Sequence, residues 1–400
     1  MKISEINIKV IKDSREKDTL EVEMKAENFL ALASAPSGKS RGAHEAFVLD
    51  PKLAVEKFEG IKSKILEKDF ISQEEFDNFL VFLDSTKDKT NLGGNLTLVL
   101  SLAFARLKAK TEGKELFKYI SDISGIKHEV LRLPRPFFNV INGGAHGTNP
   151  QSKLDFQEFQ IISDAEDFGL ALGLGQEFYT ELRDFLENKF GKENVMLGDE
   201  AGFSCPFKNN EEAIEILSDL IAKNNYPLKI GLDVAASQFY KDGKYLVDGK
   251  EYSAEELRNF YIKLIDAYKI FSIEDPFSEE SFDDFAMLRQ NKPELLIITD
   301  DLTTTNFERL KNAINKKSGN AILVKPNQIG TLTETINVIK LAHENNWQEV
   351  ISHRSGETTD DFIADLAAGV GAFGIKAGAP AALERMAKYN RLLRIGELEN

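Results

Sequence analysis

Six short apolar runs in the second half of the chain each end on a residue able to do acid–base or metal chemistry. They are Lys229–Asp233, Ile270–Glu274, Leu296–Asp300, Ala321–Lys325, Glu349–His353 and Ala372–Lys376. Three carboxylates, Asp233, Glu274 and Asp300, thus come from consecutive runs. Brought to one place they would repel one another unless a cation lay between them, and hard oxygen donors without cysteine suit magnesium, with manganese as a substitute. Taken singly, each acid reads as well as a helix cap or a partner for a nearby lysine. Three in series, with lysines on the next runs, favour the metal. Lys325 and Lys376 end apolar runs, where desolvation and neighbouring cations lower an amine's pKa and let it act as a base near neutral pH.

Further candidates lie upstream and between the runs. Gln157-Glu158-Phe159 precedes Ile161 and Ile162, which puts Glu158 near a strand. Gly198-Asp199-Glu200-Ala201-Gly202 brackets two acids with small residues that permit close approach to a ligand. Both also read as surface turns, as does Asn139–His146. Ser352-His353-Arg354-Ser355-Gly356 gathers imidazole, guanidinium and hydroxyl, a set suited to clamping phosphate, or simply a polar loop leading into a helix. Two nucleotide motifs are set aside. Ala33–Ser40 resembles a P-loop, but Ala46–Leu49 reads as a short strand, so no helix N-terminus faces a phosphate. Gly369-x-Gly371-x-x-Gly374 follows a helix and leads into a strand, the reverse of the order a dinucleotide needs.

The elements that must position these groups are legible in outline. Apolar runs alternating with amphipathic helices imply parallel strands buried on both faces. Ser253 with Glu256, and Thr331 with Glu334, have the spacing of capping boxes. Six such units, with room upstream for two more strands, predict an α/β chain with an eight-stranded β/α (TIM-like) barrel over 133–400. Its span of about 265 residues is close to the roughly 250 typical of that fold, whose active sites lie at the C-terminal strand ends. Gln238–Glu251, with two Asp-Gly pairs, predicts a hairpin excursion. Ahead of the barrel, Leu20, Val22, Met24 and Ala26 alternate with charged residues as in a strand with one wet face. Ala54, Phe58, Ile61 and Ile65 recur at helical spacing, and Asn95 is a candidate cap for the apolar helix running to Lys110. These predict a smaller α+β capping domain over 1–126, with a linker within Ser121–Pro136.

Composition narrows the partners. Lys and Arg total 50 against 65 acids, a net charge of −15, which disfavours nucleic acid and anionic membranes. An anionic substrate would need a local island of positive charge. Cys205 is the single cysteine, so no internal disulfide forms, as in a reducing compartment. Met1–Leu20 has no apolar signal stretch, and Leu98–Ala105 is too short to span a bilayer. The expectation is a cytoplasmic, soluble enzyme or scaffold.

Taken together, these residues resemble the enolase family, the glycolytic dehydratases of 2-phosphoglycerate. The likeness runs from Asp13-Ser-Arg15 to Arg391-Leu-Leu-Arg-Ile395. It is most specific at Ser272-Ile-Glu-Asp-Pro-Phe277, Lys325-Pro-Asn-Gln-Ile-Gly-Thr331 and Ser352-His-Arg-Ser-Gly-Glu-Thr358. A lysine base working with magnesium is the superfamily's own pattern. The resemblance implies that Asp233, Glu274 and Asp300 hold the tighter magnesium, and that Ser40, in a mobile loop over Ser37–Glu45, binds a second. It makes Lys325 the base, and Glu200 with Glu158 the acid that protonates the leaving hydroxyl. Lys376 would bind the substrate carboxylate and Arg354 and Ser355 the phosphate, with His146, Gln157 and His353 at the remaining active-site positions. A homodimer or larger homo-oligomer is implied as well. The chain departs from the family pattern at Glu16-Lys17-Asp18, at Lys39 and Arg41 in the loop, at Ala201, Gln238 and Ala377, and in a longer segment between His146 and Gln157. None of these removes a proposed catalytic group. A non-catalytic structural or surface-binding relative, and a superfamily member acting on another carboxylate, are the alternatives. Retained acids and lysines disfavour the first, and the phosphate clamp disfavours the second.

Overall fold

The alternation at Leu20, Val22, Met24 and Ala26 becomes the middle strand of a three-stranded antiparallel sheet. Its strands are β1 (Glu5–Lys12), β2 (Asp18–Ala26) and β3 (Phe29–Ser34), and all four alternating residues are fully buried. The computed structural model describes residues 1–39, 42–126 and 131–399, so Ser40 and Arg41 lie outside the described residues. Three local expectations need correction. The helical spacing from Ala54 to Ile65 belongs to two helices, Pro51–Glu59 and Lys62–Leu66, interrupted at Gly60. Asn95 lies inside the helix Gly94–Thr111 and does not cap it; its side-chain amide brackets the backbone of Leu49, accepting from the N–H at 3.1 Å and donating to the carbonyl at 2.9 Å. Ala46–Leu49 forms no strand. Its backbone is taken up by Gln328, Asp88 and Asn95, and Asp50 then caps the helix at Pro51.

The later strands, in chain order, are β4 (Arg135–Asn142), β5 (Glu158–Ser163), β6 (Met196–Leu197), β7 (Phe203–Ser204), β8 (Leu228–Asp233), β9 (Tyr240–Lys241), β10 (Lys244–Val247) and β11 (Lys250–Tyr252). They continue with β12 (Ser272–Glu274), β13 (Leu296–Thr299), β14 (Ala321–Val324), β15 (Gln348–Ser352) and β16 (Gly374–Lys376). Eight of them form the ring β16-β15-β14-β13-β12-β8-β5-β4, closed by pairing of β16 with β4. The small sheet β9–β10–β11 is the expected excursion. Asp242-Gly243 and Asp248-Gly249 form its two turns, all four residues with positive φ, as type I′ hairpins require.

The ring departs from an all-parallel barrel at one strand. β5 runs antiparallel to both β4 and β8. Within the 143–157 link, the only helical piece is the single 3-10 turn Gly144–His146, so no crossover helix carries the chain back and the next strand returns in the opposite direction. Two helices, Phe168–Phe190 and Asn210–Asn224, then follow before β8.

Strand alternation divides the core. Phe137, Ile162, Leu296, Ile298, Ala321, Leu323 and Val350 form a separate cluster, while Ile297, Ile322, Val324 and Ile351 belong to the larger core that also includes residues of the surrounding helices. Ser253 and Glu256 form a complete capping box. Thr331 accepts from the Glu334 N–H, but the Glu334 carboxylate turns to the Thr331 hydroxyl and the Lys89 amine rather than back to the cap N–H. The N-terminal region is tied to the barrel by polar contacts. Arg106 donates to both carboxylate oxygens of Asp360, at 2.6 and 2.9 Å, and Asp77 accepts from the backbone and hydroxyl of Thr333.

Glu349, on β15, is buried with its Oε1 lacking a hydrogen bond, and burial pushes its carboxyl up to about 7. The folded chain therefore holds this proton more tightly than the unfolded chain, and stability falls as pH rises from about 4.5 to 7, by at most about 3 kcal/mol. Glu349→Gln is expected to raise the melting temperature at pH 8 and leave it nearly unchanged at pH 4.5. An equal shift at both pH values would contradict this.

Candidate active site

Strand register brings the predicted groups to one mouth. Asp233 and Glu274 are direct neighbours at the ends of β8 and β12. Asp300, Lys325 and His353 immediately follow β13, β14 and β15, and Lys376 ends β16. Because β5 is reversed, Glu158 is its first residue and sits beside Asp233 on one side and Asn142 on the other. Around the ring β5 and β14 are four strands apart, so Glu158 and Lys325 face each other across the mouth. One pocket is lined by His146, Gln157, Glu158, Glu200, Asp233, Asp300, Lys325, His353, Arg354, Ser355 and Lys376. Glu274 joins them through Lys376, and Ser40 falls outside the described residues.

The two lysines sit among the acids. Lys376 Nζ lies 2.9 Å from Asp233 Oδ2, 2.9 and 3.0 Å from the two oxygens of Glu274, and 3.0 Å from Glu158 Oε2. Lys325 Nζ pairs with Asp300 Oδ2. This corrects the expectation of lowered lysine pKa values. Burial does push both amines down, but Asp300 outweighs it at Lys325, and Asp233, Glu158 and Glu274 outweigh it at Lys376, so both are held above the ordinary lysine value. The acids divide accordingly. Burial and Asp233 push Glu274 well up, whereas at Asp300 the effect of burial is overcome by Lys325 and the carboxyl is held down.

The oxygens at the mouth are of the kind a hard divalent cation takes, although of the predicted triad only Asp300 belongs to a set already gathered closely enough for one ion. Among the described residues, two sets offer three ligand atoms within 4.8 Å of one another: His146, Glu158 and Glu200, and Asp275, Asp300 and Asp301. In the second, Asp275 spends its oxygens on the backbone N–H groups of Asp300 and Asp301, at 3.0 and 2.7 Å, and so shapes the turn after β13. Asp233 and Glu274 share one ammonium, so their oxygens are already gathered at a point of positive charge. Asp233, Glu274 and Asp300 supply oxygen only, the chemistry magnesium prefers.

A second group occupies the β4–β5 side. The hairpin β6–β7 carries the Gly198–Gly202 turn, closed by the Gly198 N–H donating to the Gly202 carbonyl at 2.8 Å. It presents Glu200 to Asn139 Nδ2 at 3.0 Å and His353 Nε2 at 3.1 Å. His146 Nδ1 lies 3.5 Å from both Glu158 Oε1 and Glu200 Oε1. The two acids are driven apart. Burial and the neighbouring Glu200 raise Glu158, while at Glu200 the effect of burial is overcome by the facing His353 and His146 rings together with the Arg385 guanidinium, which hold it well below the ordinary value. Two acids with opposed environments are what a proton-transfer pair requires.

The partners that several site residues take had no clear signal in sequence. Gln157 donates to Asp233 Oδ2 at 3.2 Å and is itself held by Gln238 at 2.6 Å. Glu45 forms a two-pronged ion pair with Arg354, at 2.9 and 3.2 Å, and Arg354 also donates to Asn327 Oδ1. Lys39 donates its backbone N–H to Ser355 Oγ at 2.9 Å and reaches Asp199 with its amine at 2.8 Å. Both groups of the anticipated anion clamp are therefore engaged by the segment around residues 37–45. Spacing does point to that segment; the individual pairings depend on tertiary contact.

Comparison with known proteins agrees with this geometry. Residues 3–120 match the family model "Enolase, N-terminal domain" and residues 130–399 match "Enolase, C-terminal TIM barrel domain". The chain belongs to the enolase family. An enolase of Methanocaldococcus jannaschii is 42% identical over 98% of this chain and 94% of its own length. Enolases of Methanosarcina barkeri and Sulfurisphaera tokodaii are 40% and 41% identical over 99% and 96% of this chain, and 94% and 93% of their own lengths. Among the described residues no helix is long and apolar enough to cross a membrane.

The turn that carries Glu200 in this enolase-family chain is packed tightly. A Cβ on Gly198 would come within 2.6 Å of Asn142 Oδ1 and of the His146 carbonyl. The backbone contact leaves no cheap relief, so Gly198→Ala is expected to cost about 1–3 kcal/mol in denaturant unfolding. Unchanged stability would show that the turn is not seated on the end of β4.

Proposed function

We propose that the chain is a magnesium-dependent hydro-lyase that interconverts 2-phosphoglycerate and phosphoenolpyruvate, in glycolysis and gluconeogenesis. The observation that carries this reading is the facing of Lys325 and the Glu158–Glu200 pair across a mouth whose acids suit a divalent cation. Elimination from a carbon beside a carboxylate needs a base at that carbon and an acid at the neighbouring hydroxyl. Lys325 in its neutral form takes the proton from the carbon next to the carboxylate, a form it would reach when Asp300 turns to a bound divalent cation and no longer holds the ammonium. The acid is the Glu200–Glu158 pair: Glu200 is held as a carboxylate and Glu158 is pushed up, so the proton of the pair rests on Glu158, passes to the departing hydroxyl, and in the reverse direction is regained from water. Lys376 binds the substrate carboxylate, and Arg354 and Ser355 bind the phosphate. His146, Gln157 and His353 complete the lining. Asp233, Glu274 and Asp300 would hold one magnesium and Ser40 would contribute to a second; when bound, such ions stabilise the negative charge that builds on the substrate carboxylate, a role manganese can also serve. The same reading assigns 1–126 to a capping domain and 133–400 to the catalytic barrel, in a cytoplasmic homodimer or larger homo-oligomer.

The test is direct. Mixing the protein with 2-phosphoglycerate and magnesium is expected to generate the ultraviolet absorbance of phosphoenolpyruvate, and a chelator to abolish it. Lys325→Ala is expected to lower kcat by about 10²- to 10⁴-fold, the usual contribution of a general base. Absence of turnover in protein that still binds magnesium by calorimetry would reject the assignment.

A further inference from the structure

Arg385 lies in the helix Leu383–Glu399 and is completely buried, the largest such side chain among the described residues. It does not line the pocket. Its guanidinium joins two segments that do. Nη1 lies 2.6 Å from His353 Nδ1 and donates to the Arg354 carbonyl at 2.8 Å; Nη2 donates to the carbonyls of Ser355 at 2.7 Å and Asp199 at 2.9 Å. The other ring nitrogen of His353, Nε2, faces Glu200 Oε2 at 3.1 Å without an aligned hydrogen bond, and both residues are buried.

An arginine side chain carries N–H donors only and keeps its proton at any working pH. A ring nitrogen in contact with it must therefore be the acceptor, which leaves the imidazole proton on the other nitrogen. We propose that Arg385 is a positioning residue that fixes His353 as the neutral tautomer with its proton on Nε2, so that the ring offers Glu200 and the pocket a permanent donor and never an acceptor. A second proton on the ring would have to lie between Nδ1 and a guanidinium. The charged groups around the ring are Arg385 from the C-terminal helix, Glu200 from the β6–β7 turn and Glu357 from its own loop. Consistent with this geometry, burial pushes His353 down to about 4. The same four contacts set the spacing between the Asp199–Glu200 turn and the His353–Ser355 loop. His353 is thus a fixed hydrogen-bond donor rather than a proton relay, and this role rests on the acid–base assignment of Glu200 made above.

The tautomer can be read without turnover, which separates this proposal from the dehydratase assignment. In protein labelled with ¹⁵N-histidine, the ring signals lost on His353→Gln identify His353 among the five histidines. The intact protein is expected to show a protonated Nε2 and a bare Nδ1, unchanged from about pH 5.5 to 8.5, a window that brackets the ordinary imidazole pKa of about 6.5. A proton on Nδ1, or titration of the ring within that range, overturns the proposal whether or not the Arg385 variants fold. Arg385→Lys retains a donor and is expected to keep the tautomer. Arg385→Met removes it, and is expected to let the ring titrate and to lower kcat by about 10- to 100-fold with KM little changed. A folded Arg385→Met whose imidazole signals match those of the unaltered protein would also overturn it.

Discussion

Like charges crowded at one end of a closed sheet are the constraint from which the rest of this structure follows. Glu158, Glu200, Asp233, Glu274 and Asp300 are all buried at the same mouth. Burying a single unpaired carboxylate costs several kcal/mol, so each must find a cation or a proton. Lys376 serves three of them, Lys325 serves Asp300, and two imidazoles and an amide surround Glu200. Excess negative charge remains, and that excess is what recommends the site to a divalent metal. Such a cluster does not stabilise a fold. It is tolerated because the strands beneath it are filled with apolar side chains and held in register around the whole ring.

The N-terminal region belongs to this balance. It is linked to the barrel through Arg106 and Asp77, and at the mouth its Glu45 meets Arg354 and its Lys39 meets Asp199. The two departures with most bearing on the site, Lys39 and Gln238, each acquire a specific partner. Lys39 adds a cation beside the Glu200 turn, and Gln238 orients Gln157 through a neutral amide.

Much of the site could be read from sequence because each barrel strand is an apolar run stopped by one polar residue, and a barrel collects those stops at one rim. That logic located Asp233, Glu274, Asp300, Lys325, His353 and Lys376. Glu200 could be found because small residues flank it. The direction of β5 could not, since it depends on the lack of a helix in a link whose composition resembles that of any loop. The lysine environments were misread because an amine's pKa depends on which acid it touches, and Asp300 lies 25 residues from Lys325 in sequence. Arg385 left no trace at all: within a helix that also contains Glu384, Lys388, Arg391 and Arg394 it looks like one more charge on a wet surface, and only packing shows that it is dry.

The reversal of β5 has a consequence for how this mouth is furnished. Seven strands point their tails at the mouth, six of them ending at the groups described, and one delivers its chemistry from its head. The stretch leading into that strand is therefore part of the rim, and contributes His146 and Gln157 as well as Glu158, where an all-parallel ring would have spent the same length on a helix far from the reaction. The arrangement is also unforgiving. Side chains along a strand alternate, so a slip of one position between β5 and its neighbours would turn Glu158 outward and bring Gln157 or Phe159 into its place.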